Sequence, residues 1–285
     1  MPRPTHPSDA SPSSPSSSRT STSQPSAPRS GAPAGAVAGA LADLARLVVP
    51  VECPGCGRLD VRLCGACLAS FDGPVRRVED AAPRLDRLVG PGPLPVWAPA
   101  AYAGPVRGVV TAWKDHGRAD LTAPLAGVVR RAARETAPAL VEATGGERLA
   151  VVPVPTRASA RRRRGDDLVL RLAAACVEGL RGGQVDAVLV RALAVVRRRA
   201  DQAGLGARAR GGVAGSLAVR RRTAARAPLG WVLVVDDVLT TGGTVAAASD
   251  AVVLAGGLPL GALVLAATPP PGRRTSAFPQ SREGG

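Results

Sequence analysis

Aromatic residues make up only 2% of this 285-residue chain, and lysine occurs once, at Lys114, against 36 arginines. Trp97, Tyr102, Trp113 and Trp231 stand apart from the arginine runs, which argues against a base-stacking platform for single-stranded nucleic acid. The skew from lysine to arginine, with abundant Ala, Gly and Pro, is what GC-rich coding produces. The formal charge of +15 is therefore weak ground for a nucleic-acid partner and serves phosphate, pyrophosphate or solubility equally well. No apolar run follows the first basic residues, so no secretory signal is expected and a cytoplasmic location is. The most apolar early segment, 34–50, is too short to span a bilayer and carries Asp43 and Arg46, so no membrane span is expected. Leu41, Leu44, Leu47 and Val48 recur instead at helical spacing, which predicts a short amphipathic helix ended by Pro50.

What is present divides the chain. Residues 1–35 are almost entirely Ser, Pro, Thr, Ala and Arg, and 269–285 are similar; such segments bury too little apolar surface to offset their ordering entropy and are expected to be disordered tails. Between them, a composition that is 45% hydrophobic supports one sizeable core over about 96–268 and a smaller module over about 40–75.

The smaller module contains "CPGCGRLDVRLCGAC", in which Cys53, Cys56, Cys64 and Cys67 form two Cys-x-x-Cys pairs. Each turn aims two thiolates at a point about 2.3 Å away, and two turns complete a tetrahedral zinc site. Gly55, Gly57 and Gly65 suit the tight turns, and a small hairpin over 58–63 would bring the pairs together. Two disulfides or a redox pair are the alternatives; an intracellular setting opposes the first, and a redox motif has no need of duplication. With no histidine or carboxylate in the set, the zinc is expected to be structural and separable from any site near Asp236. Cys176, on an apolar helical face, reads as core.

From about residue 98 helices and strands alternate. Helices are expected over 106–117, 121–143, 166–181 and 244–257, and strands over 148–155, 185–193, 229–237 and 259–268. Strands apolar throughout and separated by helices indicate an α/β fold with a parallel sheet covered on both faces, whose ligands bind at the carboxyl ends of the strands. At such an end lie Asp236 and Asp237, followed by Thr240, Thr241, Gly242, Gly243 and Thr244 before a helix. Glycines let backbone amides approach an anion, and threonine hydroxyls and the positive helix end add donors, so the loop reads as a phosphate cradle. No Gly-Lys-Ser/Thr follows, so it is not a P-loop. Paired carboxylates beside bound phosphate make sense if they hold hydroxyls or a metal, and a sugar phosphate supplies the hydroxyls.

"VLVVDDVLTTGGT" resembles the 5-phosphoribosyl 1-pyrophosphate (PRPP) signature of type I phosphoribosyltransferases. Together with "LADLARLVVP", the four-cysteine knuckle, "YAGPVRGVVTAWKDHG", "VVPVPTRASARRRRG" and "DQAGLGARAR", it is similar in order to the ComF family of competence-associated, phosphoribosyltransferase-like proteins, over roughly 40–268. The resemblance implies a type I phosphoribosyltransferase-like domain over 96–268 behind a zinc-ribbon-like module, with PRPP and Mg²⁺ as ligands, an unidentified acceptor, and competence or single-stranded DNA as partners. It implies that Asp236 and Asp237 hold the ribose hydroxyls and form the catalytic pair. Thr240 to Thr244 would hold the 5′-phosphate, and Thr156 and Arg157 the pyrophosphate. Arg164 with Gly165, and Gln202 with Arg210, match further family elements. Asp166 and Asp167 depart from the family's Phe-Asn, and no Asn follows at 211–214, which puts the acceptor side in question. Lys114 matches a family position, with a surface residue beside Asp115 as the alternative, and His116 is expected to be exposed. Pyrophosphate displacement from PRPP, a non-catalytic competence factor acting as sensor or scaffold, and nucleobase salvage are the readings that remain.

Overall fold

The computed structural model describes residues 51–85, 92–155, 167–196, 217–224 and 229–270. The helix expected at 41–50, Thr156, Arg157, Arg164, Gly165, Asp166, Gln202, Arg210 and both terminal tails, but for Pro269 and Pro270, lie outside these residues. No helix among the described residues is long and apolar enough to cross a membrane.

In chain order the elements are helix α1 (Gly65–Ala69), strand β1 (Arg76–Arg77), β2 (Val96–Ala98), α2 (Gly104–Asp115), α3 (Thr122–Thr144), β3 (Leu149–Pro153), α4 (Leu168–Gly182), β4 (Ala187–Leu189), β5 (Leu193–Val195), β6 (Leu217–Val219), α5 (Arg221–Ala224), β7 (Trp231–Leu239), α6 (Gly243–Leu254) and β8 (Leu258–Ala267). Single-turn 3₁₀ segments occupy Glu79–Ala81 and Pro83–Leu85. The main sheet has six strands in the order β1-β2-β8-β7-β3-β4. Four of its pairings are parallel, and β1 joins β2 antiparallel, so the sheet is mixed rather than wholly parallel as the sequence suggested.

The strands are apolar on both faces because both faces are covered. On one face, Leu149, Val151, Leu233, Val235, Leu263 and Leu265 pack with α2, α3 and α4. On the other, Ala150, Val152, Val232, Val234, Ala262 and Val264 pack with α6, Ala82 and Leu85. Cys176 is fully buried under the first layer, as its helical position indicates.

Two stretches differ from the sequence reading. The run 185–193 breaks into two strands: its ladder with β3 ends at Val151 and Leu189, Ala192 N turns back onto Val190 O at 2.8 Å, and β5 leaves to pair antiparallel with β6. An apolar run reads alike whether straight or bent, so periodicity does not locate the break. The short edge strand β1 and its neighbour β2 follow no repeat long enough to read. They are held by Glu79, whose carboxylate accepts from Val78 N and Val96 N at 3.1 Å each and pairs with Arg77. The Arg77 guanidinium lies 5.6 Å above the Trp97 ring.

Candidate functional site

The cysteine cluster forms where the sequence placed it. The four sulfur atoms lie within 4.8 Å of one another, Cys64 Sγ stands 3.7 Å from both Cys53 Sγ and Cys56 Sγ, and all four thiols are free. A tetrahedron with metal–sulfur arms of about 2.3 Å has edges of about 3.8 Å, so the set could hold a zinc ion with little movement. The hairpin expected over 58–63 is replaced by tighter devices. An isolated bridge joins Glu52 to Leu59 around the first pair, and Cys64 caps α1 by accepting from Cys67 N at 3.4 Å. Burial disfavours the Cys53 thiolate, yet the amides of Cys64, Gly55 and Cys56 and the Cys67 thiol bring it down to about 6. Burial and the three neighbouring thiols push Cys67 up. Four thiolates this close repel one another, and a cation at their centre removes that penalty.

The acids stand in a different setting from the one the sequence suggested. Strand β7 does not stop at them but runs on through Val238 and Leu239 against Ala266 and Ala267 of β8. On the other side the β3 ladder ends opposite Val235, so among the described residues the acids have no strand partner on that flank of β7. Strand alternation puts Asp237 on the face of Leu233 and Val235, and Asp236 on the face of Val232 and Val234. Both are buried, each 7% exposed. Asp236 Oδ1 accepts from Asp237 N, and Asp237 Oδ1 from Val238 N, both at 2.8 Å.

Lys114, in the last turn of α2, reaches both oxygens of Asp237, at 2.8 Å and 2.7 Å. Burial works against its charge, but the Asp237 carboxylate outweighs it and holds the ammonium above the ordinary lysine range. His116 at the end of the same helix is exposed.

Among the described residues no such cation contacts Asp236. Burial first, and then the Asp237 charge, push its carboxyl up from 3.8 to about 7. A folded-state value above the unfolded one means that the native chain keeps a proton the unfolded chain has released. Stability therefore falls as pH rises from about 4 to about 7 and is level above. Asp236→Asn cannot ionise, so it should gain on the wild type by about 2 kcal/mol between about pH 5.5 and about pH 8 in urea unfolding. A constant difference across that range would show that Asp236 does not titrate there.

The loop after β7 turns through Gly242, whose φ of +81° lies in the left-handed region that glycine tolerates best. Gly242 caps α6 without a side-chain hydrogen bond, and the first amides of a helix have no partner within it, so this end offers donors to an anion. Thr240 and Thr241 are exposed, Thr244 is half-buried, and Gly242 and Gly243 are buried.

The two glycines are covered by residues 79–85, a segment that sequence patterning did not mark. Arg84 N donates to Thr241 O at 3.1 Å. A Cβ at Gly242 would lie 2.7 Å from Leu85 Cγ, and one at Gly243 would lie 3.2 Å from Arg84 Cδ and Nη1. Arg84 thus brings a guanidinium to the loop, although no spacing in "EDAAPRLDRL" distinguishes it from its neighbours. The same segment borders a cavity of about 730 Å³ at the carboxyl ends of β2 and β8, lined by Arg76, Arg77, Asp80, Ala101 and Thr268 among others.

The structure therefore brings Asp236, Asp237 and Thr240 to Thr244 into one connection. It adds Lys114 and Arg84, and it sets Cys53, Cys56, Cys64 and Cys67 apart as a separate centre. Compared with protein-family models and with curated proteins, the chain has no significant match to either.

Proposed function

We propose that this chain is a PRPP-binding, phosphoribosyltransferase-like protein that transfers the phosphoribosyl group to an acceptor with release of pyrophosphate, in a role tied by resemblance to competence and DNA uptake. The observation that supports it best is the β7–α6 connection, where two carboxylates precede a left-handed glycine and a helix N-terminus with no side-chain cap. The carboxylates of Asp236 and Asp237 accept from the ribose hydroxyls, while the hydroxyls of Thr240, Thr241 and Thr244 and the first amides of α6 hold the 5′-phosphate. Lys114 reaches both oxygens of Asp237 and holds that side chain in place. Thr156, Arg157 and Arg164 hold the pyrophosphate in this reading.

In the reaction the acceptor forms a bond to the anomeric carbon. The bond from that carbon to the pyrophosphate oxygen breaks with its electron pair on pyrophosphate, and the acceptor proton passes to solvent. Mg²⁺, bound with PRPP, would neutralise charge on the departing pyrophosphate. The protein's contribution is positioning and fixed charge.

Calorimetry with PRPP, ribose 5-phosphate and pyrophosphate separates the two ends of the ligand. Gly243→Val is the variant to use, since it meets the movable Arg84 side chain, whereas a Cβ at Gly242 strikes Leu85 and strains a positive φ. It should weaken PRPP and ribose 5-phosphate by about tenfold and leave pyrophosphate unchanged. If all three ligands bind it as they bind wild type, the loop is a helix cap and nothing more. PRPP binding without pyrophosphate release against a panel of bases, amines and nucleotides identifies a sensor or scaffold instead of a transferase.

A further inference from the structure

Helix α2 touches both centres. Its amino-terminal half carries the knuckle. Gly108 packs so closely that a Cβ there would stand 2.2 Å from Pro54 O. Cys53, Cys64, Cys67 and Phe71 share one buried cluster with Val106, Val109, Val110 and Trp113 of the helix. Its carboxyl-terminal turn carries Lys114, with both Asp237 oxygens in reach. Just past that turn, Arg118 donates to two carbonyls of the knuckle, Glu52 O at 3.3 Å and Arg62 O at 2.8 Å, and is itself held by Asp120 at 2.8 Å. The knuckle is thus fastened to both ends of the helix. On the far side, α3 fastens its exit, as Arg131 donates to Phe71 O at 2.6 Å and Glu135 accepts from Val75 N at 3.2 Å.

The loops that carry the thiols have little other structure to keep them in place. Cys53 to Cys64 contains no strand longer than a single bridge, and α1 has five residues. A metal in the cluster therefore decides whether the Pro54 carbonyl presents a fixed surface to Gly108, and the carbonyls of Glu52 and Arg62 to Arg118. An ammonium shifted by even an ångström loses one of its two carboxylate contacts, because each is already at hydrogen-bond length.

We infer that Lys114 is a positioning residue for Asp237 and that the metal-filled knuckle, acting through Gly108 and Arg118, holds Lys114 in place. Emptying the knuckle then weakens ligand binding at a site with which it shares no residue. Only the ligand-binding part rests on the PRPP reading; the placement of Lys114 does not.

Lys114 is the sole lysine of the chain, so amine modification reports on it alone among the side chains. The full-length protein, metal-loaded or stripped with a chelator, is treated with an amine-acylating reagent, and the peptide containing Lys114 is followed by mass spectrometry. Pairing with Asp237 keeps Nζ protonated and shielded, so stripping should raise the modification rate by about fivefold or more. Arg118→Gln, which leaves all four thiols in place, should raise it about threefold with metal still bound. In Asp237→Asn the rate should be high with or without metal, because the contact through which metal acts is already lost. PRPP affinity in the presence of Mg²⁺ should fall on stripping in the wild type and fall no further in Asp237→Asn.

Equal Lys114 rates in loaded and stripped protein that keeps its helical circular dichroism would overturn the inference. If stripping unfolds the chain, an unchanged rate in Arg118→Gln overturns it. Metal-dependent Lys114 reactivity in a protein that binds no PRPP in any state would leave this inference standing and remove the proposed function.

Discussion

At about pH 8, above the Asp236 value, changing Asp236 and Asp237 together to Asn is expected to lower PRPP affinity by about 30- to 150-fold while the domain stays folded. A hydroxyl bound to a carboxylate gains about 1 to 1.5 kcal/mol over one bound to a neutral amide, and two such losses sum to about 2 to 3 kcal/mol. The fold should survive because Asn has the same shape and retains an oxygen. Asp237 N and Val238 N each keep an acceptor at the 2.8 Å positions, and Lys114 keeps one at residue 237. Lys114 does lose a full negative charge from a half-buried setting, so a small drop in melting temperature accompanies the substitution. Calorimetry with PRPP and Mg²⁺, beside a thermal melt, measures both effects. Wild-type affinity in a folded double variant would take the acids out of the ligand site and leave them as internal partners of Lys114 and the backbone.

The second large effect belongs to the knuckle. Cys64→Ser should reduce bound zinc from about one per chain to almost none and cost on the order of 4 kcal/mol, lowering the melting temperature of the whole domain by about 10 °C. Cys64 is the central ligand: its sulfur is 3.7 Å from two others, and it caps α1. The loss reaches beyond the knuckle because three of the four cysteines are buried in the cluster that contains Trp113, Leu125 and Leu172. Metal analysis and calorimetric melting of the variant and the wild type provide the measurement. A protein that purifies without zinc, with the four cysteines oxidised in pairs and the same melting temperature, would replace the metal by two disulfides.

Some of this could be read along the chain. Two Cys-x-x-Cys turns bring thiols together whatever surrounds them, because each turn fixes its own pair and one short loop joins them, and the 4.8 Å cluster follows. The alternation of apolar strands with amphipathic helices implied an α/β sheet, since 2.0 and 3.6 residue periods are properties of the local backbone. The acids and the glycine loop stood out for the same reason: a run of valines, two aspartates and TTGGT are all within one strand–turn–helix unit.

What the chain's order did not reveal is what lies across from these units. Lys114 and Asp237 are 123 residues apart and meet through a carboxylate–ammonium pair, made where α2 brings its last turn to β7 beyond the end of the β3 ladder. The sequence suggested acids open to ligand, and the fold buries them, because β8 carries β7 past Asp237 and α2 and α6 close over the two faces. The cover that residues 79–85 place on Gly242, the antiparallel edge strand and the docking of the knuckle on Gly108 have the same origin. Local periodicity sets which segments become strands and helices and which residues face a core. Which strand ends first, and so which side chain finds an open flank, a cation or another segment, depends on packing between distant parts of the chain, and that was decided only when the layers came together.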